Sequence, residues 1–429
     1  MKKITRFFCP VLIALATNIA STARADEVTD WNKILLDAAL VPPATSPLVI
    51  TRNAAIVHAA VFDAVNGIER RYTPIHVDPA AARGASRRAA AVQAAYATLV
   101  RLYPGQQTTF DTRLAASLEA IASGPAAENS LSIASGVEWG QTVADAIWAW
   151  RSTDGFTPPP PPFVGGLTVG QWRPTPPAFA PGAGPQFAYM TPWVIQSPSQ
   201  FRPAGPPALT SDRYTTDFNE TKIMGRGSSL FRTSDQTTAC LFWNTTTASH
   251  LWNHVAVSLS DERHTTLSEN ARLFALLNIA IADAAIACWE AKYHYVFWRP
   301  VTAIPLAATD GNLGTEPDLS WTPLFATPAH PEYPSGHSTL SGAAASVLAD
   351  YFGEETAFGV VSDTMVGVVR SFSSFSAALD EVTEARVFAG IHFRSACDDG
   401  RATGMAVGDH AIANSLRPIH GNDNGQTQH

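Results

Sequence analysis

Apolar residues recur at three- and four-residue spacing through most of this chain, which predicts α-helices rather than strands. From Trp31 to Ile68 the apolar positions include Ile56, Ala59, Ala60, Phe62, Ala64 and Val65. Alanine-rich helical patterns follow from Ser86 to Leu102, stopped by Pro104-Gly105, and from Phe110 to Ile121. Another runs from about Glu128 to Trp150 and ends at Asp154-Gly155. The spacing resumes near Tyr214 and again from Ser234 to Val257. From Leu267 to about Phe297 the pattern is apolar on most sides, with Leu273, Phe274, Leu276, Leu277, Ile279, Ala280, Ala284 and Ala287, so this helix belongs in the core. Asp283 interrupts it and, as a buried carboxylate, needs a partner. Helical runs from Ser338 to Tyr351 and from Ala377 towards Ser415 complete an all-α expectation.

Residues 154–211 break the pattern. Five prolines stand together from Pro158 to Pro162, and ten more are interspersed with glycine, Trp172, Trp193 and Phe201. A long segment without periodicity is either a linker or a functional loop. The aromatic residues give it something to bury, so it reads as an ordered loop over the bundle, at a cleft mouth. The expected organisation is a single helical domain over residues 26–420: helices to 153, the proline-rich loop over 154–211, and helices from 212 onward. The tail, residues 421–429, reads as disordered.

The N-terminus changes the picture of where the protein works. Met1-Lys2-Lys3-Ile4-Thr5-Arg6, an apolar run from Phe7 to Ala20, and Ala23-Arg24-Ala25 have the form of an export signal over residues 1–25, cut after Ala25. The run is too short, and too interrupted by Pro10 and Asn18, for a membrane span. A periplasmic or secreted bacterial protein is expected. Cleavage removes four cations and moves the formal net charge from -8 to -12. An acidic exported chain is a poor partner for nucleic acid or anionic lipid, so any anion site must be a local concentration of cations. Cys240, Cys288 and Cys397 remain, widely spaced and without metal-type spacing, and read as packing residues. His250 and His254 lie four apart but lack the glutamate of a zinc-protease motif, which favours packing or hydrogen bonding.

Three short segments carry the chemistry. In Trp289-Glu290-Ala291-Lys292-Tyr293-His294-Tyr295-Val296-Phe297-Trp298-Arg299-Pro300, Lys292 and Arg299 are two helical turns apart and can share a face. Tyr333-Pro334-Ser335-Gly336-His337 opens a helix, whose N-terminus offers unpaired N–H groups and the positive end of the macrodipole. The third segment is Arg386-Val387-Phe388-Ala389-Gly390-Ile391-His392. Together they supply three cations, a hydroxyl, a backbone donor and two histidines. That set can bind a multiply charged oxyanion, with one histidine contacting its central atom and the other exchanging protons.

These residues resemble the superfamily of vanadium-dependent haloperoxidases and type 2 phosphatidic acid phosphatases, whose signature is K-x6-RP, then PSGH, then SR-x5-H. The resemblance covers, by motif, roughly the last 140 residues of the folded chain and implies an all-α fold built around a four-helix bundle that houses the oxyanion. It makes Lys292, Arg299, Ser335, the Gly336 N–H and Arg386 the oxyanion-binding groups. It makes His337 the acid/base, and His392 the axial vanadium ligand or, in a phosphatase, the nucleophile. Two positions depart from the pattern: Ala385 stands where the serine before the arginine is usual, and Ala396 where an aspartate often follows the last histidine by four. Asp398 or Asp399 is the expected substitute for orienting His392. His330, Trp289 and Asp283 are candidates for the halide side of the pocket or for supporting its ligands.

The implied activity is oxidation of a halide by hydrogen peroxide to hypohalous acid on a vanadate cofactor, with a small organic acceptor downstream. The aromatic context of Lys292 favours this reading, and His330, seven before His337, leans towards bromide or iodide. The alternatives are an exported acid phosphatase working through a phosphohistidine, with no vanadate, and a non-catalytic oxyanion-binding protein.

Overall fold

In the computed structural model, residues 26–419 are described; the export signal expected over 1–25 and the tail expected over 421–429 lie outside the described residues. Among them the periodic runs become thirteen α-helices, most opened by a hydroxyl or carboxyl side chain that accepts from the first free backbone N–H groups. The all-α expectation holds, with a single small two-stranded sheet added.

Several expected helices are divided by chain-breaking residues. The run from Trp31 to Ile68 is two helices, α1 (Glu27–Leu40) and α2 (Pro47–Glu69), separated at Pro42-Pro43 with Ser46 capping the second. The patterns of the first third continue as α3 (Arg87–Leu102), α4 (Gln107–Ser123) and α5 (Ser130–Arg151). After α6 (Asp212–Met224), the run from Ser234 to Val257 splits into α7 (Ser234–Thr245) and α8 (Ala248–Arg263), because the Thr247 hydroxyl caps a new start. The core helix α9 (Leu267–Tyr295) opens with a reciprocal capping box between Thr266 and Glu269. Short α10 (Pro300–Ala303), then α11 (Gly336–Phe352), α12 (Phe375–Phe388) and α13 (Arg394–Asn414) complete the set. Strands β1 (Phe358–Val361) and β2 (Val369–Phe372) pair antiparallel, with Phe358 opposite Phe372.

The helix expected from Ala377 to Ser415 is broken at Gly390, which has φ +76°. A side chain there would also meet the Gly225 carbonyl oxygen at 2.3 Å, so only glycine turns the chain between α12 and α13.

Helix α9 is shared by two packs. On one side it meets α2, which packs on α3 and α5; on the other it meets α11 and α13, with α12 closing a four-helix group. Both α2 and α9 are long and apolar enough to span a membrane, yet both are almost wholly buried inside the protein, so they are core helices. Helices α11 and α13 approach until backbone touches backbone: a Cβ at Gly404 would sit 1.9 Å from the Thr339 carbonyl oxygen. That approach sets the start of α11 beside the start of α13, where Ser335 N–H donates to Ala396 O at 2.8 Å.

The proline-rich segment is an ordered wall, as its aromatic residues imply. Trp172 is buried, and a short 3-10 turn forms over Pro185–Ala188. The wall is fixed by Asp283, whose carboxylate accepts from Trp193, Val194 and Ile195 N–H at 2.7–3.0 Å. Arg151 donates to the Thr191 and Pro192 carbonyls and pairs with Asp154, which also holds Arg52. Asp283 thus has its partner, and the partner is this wall: it does not line the cavity itself but holds the segment whose Gly184 and Phe187 do. Cys240, Cys288 and Cys397 are free and buried.

Candidate functional site

Helix α9 is capped after Tyr295 by Val296, a β-branched residue with φ +53° whose N–H donates to Lys292 O. This left-handed turn lets Phe297 and Trp298 dive into the core and delivers Arg299 to the same buried region as Lys292. At the start of α11, Ser335 is the N-cap residue and its hydroxyl accepts from Ser338. Gly336 is the first helical residue, and a Cβ on it would lie 3.2 Å from the Trp289 ring, so the bare backbone fits closely under that aromatic. Arg386 comes from the last turn of α12, and His392 from the turn before α13.

A cavity of about 410 Å³ lies over this group. Gly336, His337, Arg386 and His392 line it directly, together with Trp289 and His330. Lys292, Arg299 and Ser335 sit behind them, each fully buried. Lys292 Nζ donates to the carbonyl oxygens of Pro331 and Glu332 at 3.0 Å, and also to that of Pro334. Arg299 donates to Ile391 O at 2.6 Å, to His392 Nε2 at 3.1 Å and to the His330 ring at 2.9 Å. Arg386 makes only long contacts, 3.4 Å to Trp243 O and to Asn244 Oδ1, and its Nε has no partner. His337 Nε2 is also buried without a partner.

Burial first, and then the neighbouring cations, holds His330, His337 and His392 well below the usual histidine range, so these rings are neutral at neutral pH. Burial pushes Lys292 down to about 8 and Arg299 and Arg386 down to about 10, leaving both arginines charged. Against these three cations stands one fully buried carboxylate, Glu332, which burial raises to about 7. The region therefore carries excess positive charge inside a low-dielectric interior, a state that favours a bound anion. Unpartnered donors at Arg386 and a bare ring nitrogen at His337 suit an oxyanion such as vanadate or phosphate.

Sequence reasoning missed Glu332, whose Oε1 lies 3.0 Å from His392 Nδ1. The expected orienters of His392 are corrected accordingly: Asp399 accepts instead from the Tyr333 hydroxyl at 2.7 Å and pairs with Arg213, and Asp398 makes no contact with the ring. The one signal in the sequence was a lone acid within the otherwise uncharged stretch Pro331-Glu332-Tyr333-Pro334. The remote walls were also missed. Leu48 and Val49 of α2 and Gly184 and Phe187 of the proline-rich segment close the cavity, and Trp289 Nε1 donates to Ala183 O at 3.0 Å to tie that segment to α9. His250 and His254 lie apart from the site, bound to Thr247 and Leu36 O and to Asp363 respectively. Among the described residues no cluster of His, Cys, Asp and Glu has the form of a cation site.

Known proteins resemble this chain in sequence over its C-terminal third and in fold over most of its length. The family described as the VCPO second helical-bundle domain matches residues 272–421. Vanadium chloroperoxidase of Curvularia inaequalis is 35% identical over 92 residues, 19% of this chain and only 14% of that protein's length. The crystal structure of the first bacterial vanadium-dependent iodoperoxidase superposes with a TM-score of 0.78 at 26% identity, covering 91% of this chain and 98% of the other. A holo-type bacterial vanadium-dependent chloroperoxidase shares the fold, with a TM-score of 0.70 at 18% identity over 91% of this chain and 97% of the other.

Proposed function

We propose that the chain belongs to the superfamily of vanadium-dependent haloperoxidases and is an enzyme that binds vanadate and uses hydrogen peroxide to oxidise a halide to hypohalous acid. The observation that carries this reading is the buried group of three cations facing one carboxylate, with two neutral histidines at the cavity floor. Lys292, Arg299 and Arg386 neutralise the oxyanion, and the Gly336 N–H at the start of α11 and the Ser335 hydroxyl add donors. His392 offers a ring nitrogen to the central atom. Vanadate, when bound, supplies the Lewis acid that makes hydrogen peroxide electrophilic enough to take two electrons from a halide.

That reaction consumes one proton and releases water with the hypohalous acid, so a group must hold and move a proton beside the anion. His337 has the place for it. Burial first, and then the surrounding cations, hold its pKa low; a bound anion offsets the field of those cations and favours the proton on the ring. The apolar walls of Leu48, Phe187, Trp289 and Leu340 exclude water from the anion and leave room for a small organic acceptor. Bromide or iodide is the favoured halide. His330 in the cavity wall, its ring centroid 5.0 Å from that of Trp289, and the likeness to an iodoperoxidase support that preference. The form of residues 1–25 supports export, which N-terminal sequencing of the mature protein checks.

The test is an assay of purified protein with and without vanadate. Peroxide-dependent halogenation of a phenol that appears only with vanadate, faster with bromide or iodide than chloride, is the expected result. Aryl phosphate hydrolysis blocked by vanadate would instead make the protein a phosphatase, and tight anion binding without either activity would make it a binding protein.

A further inference from the structure

The family pattern places a carboxylate one helical turn beyond the last histidine, yet Ala396 stands there, fully buried, with its carbonyl taken by Ser335 N–H. The structure puts a carboxylate on His392 from another direction. Glu332, sixty residues earlier in the chain, is fully buried, and its Oε1 lies 3.0 Å from His392 Nδ1 and accepts from Phe393 N–H at 2.9 Å.

The donors around the ring decide where its proton sits. Arg299 NH1 lies 3.1 Å from His392 Nε2, and a guanidinium can only donate, so Nε2 must present its lone pair. The single ring proton is then on Nδ1, where the Glu332 carboxylate accepts it. Arg299 and the ionised Glu332 carboxylate favour the same tautomer.

Glu332 is itself fixed by the other motif segments. Its N–H donates to Phe297 O at 2.9 Å, and its carbonyl accepts from Lys292 at 3.0 Å. Backbone bonds tie it to the segment that carries Lys292 and Arg299, and its side chain ties that segment to His392. A displacement of any of the three is felt at the ring.

We propose that Glu332 is the positioning residue of His392: it takes the Nδ1 proton, fixes tautomer and ring plane, and leaves Nε2 as the bare nitrogen offered to the central atom of a bound oxyanion. It replaces, from the loop before α11, a carboxylate that the start of α13 does not supply. The part of this that concerns vanadium rests on the function proposed above; the tautomer does not.

Two readouts on the apo protein test it. The first is two-bond ¹H–¹⁵N spectroscopy of ¹⁵N-histidine-labelled protein, with His392 assigned by its loss in His392→Ala. Wild type is expected to show a protonated Nδ1 and a pyridine-type Nε2. Glu332→Gln, which keeps an acceptor oxygen and the side-chain shape, retains that tautomer; Glu332→Ala, with only Arg299 left to favour it, gives a mixture of the two forms. Asp399→Asn behaves as wild type.

The second readout is calorimetric titration with orthovanadate and, separately, inorganic phosphate. Loss of an outer partner of a metal-bound histidine costs about 10–100-fold in affinity, which is the expected loss of vanadate binding in Glu332→Ala, with Glu332→Gln in between. Phosphate, held by the cations, is expected to bind as well or more tightly once a neighbouring negative charge is gone. Affinities that fall together, or an unchanged tautomer in Glu332→Ala, overturn the proposal. If wild type binds vanadate no better than phosphate, the vanadium ligand assigned to His392 fails, and the tautomer spectrum alone decides the role of Glu332.

Discussion

At the scale of single residues, the site holds charge that the fold does not need. Arg386 is buried at 1% exposure with only two long contacts, so its guanidinium gains little from the protein around it. Arg386→Met keeps the volume and removes a poorly compensated charge. It is expected to be at least as stable as wild type to denaturant while losing about 100-fold or more in vanadate and phosphate affinity, measured by titration. His58 is the opposite case, a buried histidine outside the site. It stacks on Phe274 and donates from Nε2 to Asn32, while its Nδ1 has no partner. Burial depresses it to about 3, so between pH 6.5 and 3 the unfolded chain binds a proton that the folded one does not. Stability then falls as pH drops through 6.5, by about 1.4 kcal/mol per unit for one such group. His58→Gln is expected to flatten the unfolding free energy of apo protein against pH by about one proton over that window. An unchanged slope would show that His58 protonates in the folded state.

At the scale of elements, the cavity depends on a loop held by a helix. Asp283 of α9 accepts three consecutive N–H groups of the proline-rich segment, whose Gly184 and Phe187 form part of the cavity wall. Asp283→Asn replaces one accepting oxygen by a donor facing those N–H groups. A loss of about 2–4 kcal/mol in chemical denaturation is expected, with faster amide exchange at Trp193, Val194 and Ile195. The helices themselves were legible because apolar spacing reports burial directly. Their ends were less so: the breaks at Pro42-Pro43 and Gly390 are local signals, but Thr247, the N-cap of α8, is the last of three consecutive threonines with the same capping chemistry. The strands β1 and β2 carried no alternation worth reading, since only Phe358 and Val360 turn to the core.

For the whole molecule, α9 joins the two helical packs, and the site lies where its C-terminal end meets α11 and α13, with α12 supplying Arg386 from beside those two. Any anion that neutralises the buried cations stabilises only the folded arrangement. Vanadate at a hundred times its dissociation constant is therefore expected to add about 2.7 kcal/mol of stability and raise the melting temperature, an increase that Arg386→Met abolishes. The sequence by itself determined the helical class, the core helix and the three segments that assemble the oxyanion group, because periodicity and short motifs are local properties. The tertiary structure decided what faces those segments. Asp283 turned to the proline-rich wall, Asp399 to Tyr333, and Glu332 to His392, because a carboxylate's partner is set by which backbone N–H or ring nitrogen packing brings within about 3 Å, a matter of long-range contact rather than of spacing along the chain.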